Sequence, residues 1–472
     1  MLAFGLNNNL LKFIGFMTHF LRLLPNELFI TISNYFDSTT KRRLSMIDRR
    51  THEIVLDTVR SIRVSPPRLF SPHGYAEDIL VKVIRRYPKL EKIIFGLTKN
   101  WTGSGEFVAK QERYLRSLIS YLESNAKKHP LNSVKKIQFS ELTHNNFATF
   151  NKKKAKELNS LFLRSIGHPG LEHITISPFH TASVLTGNEI QPVLENSPNL
   201  KTFVFDGFES NQTITLSFAN QPLLSKVKLL NWKGAVSTIE SLKSCKNLEK
   251  LVIDYTASPS DEIKAILLGD HPWNLKDLVL KEVAALNDTE LDAMTKKLPN
   301  LESLSIELNG ISDDGMERLG RNCPNLKVVQ FSNEALTNFG LDRLTQHLPH
   351  LKVISFDTAY NITGEGIAAI GRNCKHLRCI QVVHYDTIEK SGMDALIANC
   401  QNLKVVEFSH GGPVSLEGMH ALIEQIPNLR YIQLEEINGI QENQIKRFYR
   451  KFPQISKIPY HLNVLKLPDL IR

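Results

Sequence analysis

The sequence predicts an α/β solenoid, built from stacked strand–turn–helix units with parallel strands. Two observations carry this. Apolar residues recur at +3 and +5 after an anchoring Leu, as in LESLSI from Leu301, LKVVQF from Leu326, LKVISF from Leu351, LKVVEF from Leu403 and LRYIQL from Leu429. Between Leu200 and Ile455 these anchors repeat every 24 to 27 residues. A fixed period in that range marks supersecondary units that cannot bury their apolar side alone and must stack. The period overrides the several domains that 472 residues would otherwise suggest.

Taken in chain order, residues 1–23 form an apolar extension interrupted by Lys12, His19 and Arg22. It lacks a basic leader and a small-residue cleavage site, and its uncharged stretches are too short to span a bilayer. Residues 24–62 read as compact helices. Leu24, Leu28, Ile32 and Phe36 form one stripe, Pro25 suits a first helical turn, and the Asp37-Ser38-Thr39-Thr40 break can cap the next helix. Residues 63–199 read as a linker helix followed by irregular repeats. Their anchors, Leu90, Val134, Leu171 and Leu200, lie 44, 37 and 29 residues apart, with insertions between them. Residues 200–460 are the regular repeats, and 461–472 a closing tail.

Within a regular unit, Leu301, Leu304 and Ile306 point inward, and period-2 alternation sends Ser303, Ser305 and Glu307 outward. The following ISDDGMERLGRNC reads as a helix, with Asp313 and Asp314 at its positive end and Met316, Leu319 and Cys323 on one face. Pro324 and Asn325 turn the chain into the next strand.

The charge is uneven. The net +10 is concentrated in residues 61–160, which carry 19 Lys/Arg against 8 Asp/Glu. Lys127, Lys128, Lys135, Lys136 and Lys152–Lys154 dominate that segment. A basic patch can hold nucleic acid, but no aromatic platform is interleaved with these lysines, so a solvated surface is the expectation and nucleic acid is not the expected partner. Five cysteines do not make a disulfide framework in a chain of this length. Cys245, Cys323, Cys374 and Cys400 each lie three residues before a repeat's anchor, where other units place Leu or Ile. They read as small buried apolar residues in a reducing compartment, cytosol or nucleus.

No catalytic, cofactor-binding or metal-ligating constellation emerges, and no cofactor is expected. Thr102-Gly-Ser-Gly-Glu106 lacks the Lys-Ser/Thr of a phosphate loop, and His52-Glu53 lacks the second His of a zinc-protease helix. His384, Tyr385 and His410 fall just after strands, where they read as loop residues or partner contacts.

LPNELFITISNYFDSTTKRRLSMIDRR, from Leu24 to Arg50, resembles an F-box: Leu24, Pro25, Glu27, Leu28, Ile32, Tyr35, Phe36 and Asp37 follow that family's order, and Leu44 and Ile47 continue it. Lys41 stands where the family has Leu. ISDDGMERLGRNCPNLKVV and ITGEGIAAIGRNCKHLRCI resemble the cysteine-containing leucine-rich repeat. Together they resemble F-box proteins with C-terminal leucine-rich repeats: a small three-helix domain ahead of a curved leucine-rich-repeat solenoid. The resemblance implies a non-enzymatic substrate receptor of a Skp–cullin–F-box ubiquitin ligase. Leu24, Pro25, Leu28 and Ile32 would dock a Skp-family adaptor, which bridges to a cullin.

A target protein would lie on the outward strand positions, with Asp254, Lys281, Glu307, Ser332, Asp357, Glu407 and Glu435 as the expected contacts. This strip is mainly acidic, which suits a basic or polar target segment. Two rival readings are a repeat scaffold without a ubiquitin role and a nucleic-acid-associated protein using residues 61–160.

Overall fold

The computed structural model describes residues 60–64, 89–95, 131–139, 163–176, 187–207, 214–232, 235–255, 273–281 and 286–456, with isolated positions in 116–123 and at 161, 264, 267–269 and 271. Residues 1–59 lie outside this set, and with them the F-box-like motif and the expected adaptor contacts Leu24, Pro25, Leu28 and Ile32. So do Lys127, Lys128, Lys152–Lys154 and the tail 461–472.

The chain divides into two compact units, Met1–Leu224 and Ser225–Arg472. The first carries β1 (Ser61–Val64), β2 (Lys92–Phe95), β3 (Lys136–Phe139), β4 (His173–Ile176) and β5 (Thr202–Asp206), each parallel to the next in chain order. The second carries β6 (Lys226–Trp232), β7 (Lys250–Tyr255), β8 (Asp277–Lys281), β9 (Ser303–Glu307), β10 (Val328–Ser332), β11 (Val353–Asp357), β12 (Cys379–Val383), β13 (Val405–Ser409) and β14 (Tyr431–Glu435), again parallel in chain order. Corresponding repeat positions pair directly: Leu304 opposes Val329, which opposes Ile354. This is the leucine-rich-repeat solenoid that the period predicts.

Among the described residues, helices form the returns after β4, β6 and β8 to β14. The first unit shows α1 (Gly187–Glu195); the second shows α2 (Val236–Ser241), α3 (Asp288–Thr295), α4 (Asp313–Asn322), α5 (Asn338–Gln346), α6 (Gly364–Asn373), α7 (Lys390–Asn399), α8 (Leu416–Gln425) and α9 (Glu442–Lys451). The inward strand residues and the inward helix residues form one core: Leu301, Leu304, Met316, Leu319, Leu326 and Val329 are all fully buried. Burying such side chains contributes about 1.5–3 kcal/mol each, which a lone repeat offsets against ordering its backbone.

Helix starts are set by side chains that the repeats share. Ser312, Thr337, Thr363 and Ser415 are N-caps whose hydroxyls accept a backbone N–H from the first turn. Three of these helix starts are also held by side chains of an adjacent repeat. Asp288 accepts from Ser312 N (2.9 Å) and from its hydroxyl. Asp313 accepts from Thr337 N (3.1 Å) and Oγ1 (2.6 Å), and Asn338 from Thr363 N (3.0 Å). Glu389 accepts from Gly364 N (2.7 Å). The entries of α4, α5 and α6 are thus tied to a neighbouring repeat.

The cysteines sit where the spacing puts them. Cys245, Cys323, Cys374 and Cys400 are buried thiols, as is Cys379. Cys323 Sγ lies 3.6 Å from Leu298 O and Cys400 Sγ 3.4 Å from Cys374 O, weak donations to the preceding repeat. Burial pushes the Cys323 and Cys400 thiols up to about 12 and Cys245 to about 11, so they are inert packing groups. At β14, the Tyr449 hydroxyl donates to Ile432 O (3.0 Å) and accepts from Leu434 N (3.3 Å), while Ile432 N donates to Ser456 O (3.2 Å). The outer strand's backbone is satisfied there.

Candidate protein-interaction face

The outward side of the second unit consists of columns of side chains, one per strand. The column at +4 from each anchor is largely closed, with Lys228, Gln330 and Gln433 half-buried. Ser305, Ser355, Gln381 and Glu407 are exposed by 5 %, 4 %, 5 % and 0 %. Its members are bonded to one another across strands: Ser305 Oγ donates to Gln330 Oε1 at 3.0 Å, and Ser355 Oγ to Gln381 Oε1 at 2.7 Å. Glu407 Oε1 accepts from Ser409 Oγ at 3.3 Å. The expectation that Glu407 contacts a target is therefore corrected: its carboxylate is inside this polar ladder. Alternation assigns a side chain to a face, and burial on that face then depends on its neighbours.

The column at +6 is open over most of its length. Glu307, Asp357 and Glu435 are exposed, and Asp254, Lys281 and Ser332 are half-buried. Asp254 and Lys281 lie 3.9 Å apart as a pair, so they offset each other. The electrostatics also change along the face. On β6 and β7, Lys226, Lys228 and Lys250 stand together; burial and then those two like charges hold the Lys228 ammonium below its usual range. Carboxylates dominate from Glu307 to Glu435. The acidic strip thus begins at β9, later than the sequence pattern implies.

Beyond the +6 column, the backbone turns in a way that the sequence pattern does not reveal. Asn231, Thr358, His384, His410 and Glu436 each follow the +6 position or its equivalent, and each has a left-handed φ, between 47° and 54°. Non-glycine residues rarely adopt this, although Asn and His do so more readily than most. Adjacent-strand carbonyls hold the kink: His384 N donates to Ser409 O (3.2 Å) and His410 N to Glu435 O (2.9 Å). The loop behind His410 admits no side chain at Gly412, where a Cβ would stand 1.4 Å from Asp386 O. The signal was present only as residue type: His, Asn and Thr at one repeat offset.

This edge gathers several functional groups. Asp357 Oδ1 lies 2.6 Å from His384 Nδ1, and Glu436 Oε2 2.8 Å from His410 Nδ1. The two imidazoles stack, with centroids 5.6 Å apart and planes at 28°. Tyr360 lies 5.9 Å from the His384 ring. Among the described residues, no group of three or more His, Cys, Asp or Glu has the geometry of a metal site. No helix of the described residues is long and apolar enough to cross a membrane.

No known protein family matches this chain. No curated protein matches it either. Among solved structures, the chain is similar to one in the Rad7 and Elc1 complex of yeast. That match has a TM-score of 0.43 and 15 % identity and covers 96 % of this chain and 95 % of the other.

Proposed function

We propose that this chain is the target-receptor subunit of a cullin–RING ubiquitin ligase. Leu24, Pro25, Leu28 and Ile32 dock a Skp-family adaptor, which joins the chain to a cullin. The open +6 column from Glu307 to Glu435 holds a target protein. The observation that carries this reading is the arrangement of the sequence: an F-box-like motif lies directly ahead of a repeat solenoid that presents an open, charged strand face. The mechanism is tethering. Holding a target beside the ubiquitin-conjugating machinery raises the effective concentration of its lysines, and no catalytic group is required of the receptor. The cytosol or nucleus, where thiols stay reduced, is the compartment that fits five cysteine thiols.

Co-purification of the full chain with a Skp-family adaptor tests this reading. The adaptor is expected with the wild type and lost with the double variant Leu24→Ala, Pro25→Ala, which should keep the wild-type melting temperature. Equal recovery with both proteins, or none with either, would make the chain a repeat scaffold outside the ubiquitin system.

A further inference from the structure

We infer that the edge at the ends of β11 to β14 binds arginine side chains of the target; this rests on the strand face being the target-binding face. Tyr360, His384 and His410 form a tier of three rings along that edge, with neighbouring centroids 5.9 and 5.6 Å apart. Tyr360 is 53 % exposed, one of three large hydrophobic residues so placed among the described residues. Carboxylates stand beside two of the three rings, Asp357 beside His384 and Glu436 beside His410. The inward-turned oxygens are engaged: Asp357 Oδ1 takes Thr358 N as well as the imidazole, and Glu436 Oε2 takes His410. Asp357 Oδ2 and Glu436 Oε1 remain for a ligand.

The chemistry of this set selects among cations. A guanidinium is planar, weakly hydrated and able to stack on a ring while its edge N–H groups reach a carboxylate. An ammonium is a compact, strongly hydrated point charge that gains less from ring faces. An anion would meet the carboxylates beside His384 and His410. The backbone supports the arrangement: Thr358, His384, His410 and Glu436 have φ of 53°, 54°, 54° and 49°, so four successive repeats present this edge alike.

Fluorescence anisotropy of the full chain with labelled nona-arginine and nona-lysine peptides, at one fixed salt concentration, tests the proposal. The wild type is expected to bind the arginine peptide about tenfold more tightly, a difference of about 1.4 kcal/mol. Tyr360→Leu with His384→Asn, which keeps a residue tolerant of left-handed backbone, should erase that preference while leaving the lysine peptide's affinity in place. Asp357→Asn with Glu436→Gln should weaken the arginine peptide about tenfold. Glu365→Gln, on the exposed start of α6, should change nothing. Equal affinity for the two peptides in the wild type, or an arginine preference that survives the Tyr360/His384 variant, would overturn the site. If both peptides bind equally and Glu307→Lys weakens both, the acidic face stands and the arginine site falls. Binding of neither peptide also removes the site, and adaptor co-purification, which does not involve this edge, still decides the ligase reading.

Discussion

The two units are built from the same buried strand triplet but are stitched differently. In the first, the anchors from Leu90 to Leu200 are 29 to 44 residues apart; in the second, consecutive anchors are 24 to 27 apart. Both use an asparagine just before the anchor to reach back one repeat: Asn199 Nδ2 donates to Pro169 O (2.9 Å), and Asn325 Nδ2 to Pro299 O (3.2 Å). Only the second unit, among the described residues, adds the chain of helix caps through Asp288, Asp313, Asn338 and Glu389. A second asparagine, four residues before the anchor, reaches back in both units: Asn196 Nδ2 donates to Arg164 O (3.4 Å) in the first, and Asn322 and Asn373 donate to Asp292 (3.0 Å) and Asp342 (2.9 Å) in the second. Constant spacing places equivalent polar side chains within bonding distance in successive repeats. The asparagine contacts beside the anchor survive longer repeats, whereas the cap chain is seen where the spacing is constant.

The largest effects should come from the core and should differ in reach. Phe203 in β5 and Phe356 in β11 are both fully buried, at 0 % and 1 % exposure. Truncation of either to Ala is expected to cost about 3–5 kcal/mol. Hydrogen exchange distinguishes them. Loss of protection from Phe356→Ala should spread through α5, α6 and α7, which the caps link, whereas that from Phe203→Ala should stay with β4 and β5. Equal spread from both sites would mean that the caps transmit nothing.

Next in size is the cap chain itself. Asp313→Ala removes the acceptor of both Thr337 N and Thr337 Oγ1, and should lower stability by about 1–2 kcal/mol in denaturant titration. A change no greater than that of an exposed substitution would make the ladder incidental.

A third effect depends on pH. His420 in α8 lies against Phe448 and Phe452, with centroids 5.4 and 5.1 Å away. Burial first, and then Lys451, lowers its proton affinity below the ordinary 6.5, with Glu424 opposing. The unfolded chain therefore binds the proton more readily. This group's contribution is present above 6.5 and is lost as the pH falls through the lower folded value. The melting temperature should drop more steeply on acidification in the wild type than in His420→Gln; identical slopes would remove His420 from the account.

The smallest expected effect is in the first unit. Glu172 is held below the usual carboxylate range by its hydrogen bond from Lys201, at 2.7 Å, but Lys201 is half in solvent. Lys201→Ala should cost under about 1 kcal/mol and less still at high salt.

Much of this fold was legible because it repeats. The anchors at Leu301, Leu326 and Leu351 set strand, face and period together, and the offset of Cys323 and Cys374 marks them as packing residues by spacing alone. The caps were half legible: Asp313 was readable as a helix-start acid, but Ser312 as N-cap and Asp313 as acceptor for Thr337 were not, since that bond joins residues 24 positions apart. Glu407 was misplaced because alternation sets direction and not depth. The His384 and His410 edge was noticed as strand-end residues, but its left-handed backbone and stacking could not be read from side chains that are not glycine.

The separation of an open column from a closed one is what the receptor account depends on most. Its direct measurement is quantitative comparison of the proteins captured by the wild-type chain, by Glu307→Lys combined with Asp357→Lys, and by Glu407→Gln. The account predicts that the captured set is lost from the double charge reversal and kept by Glu407→Gln. Capture that survives reversal at Glu307 and Asp357, but fails at Glu407, would contradict it.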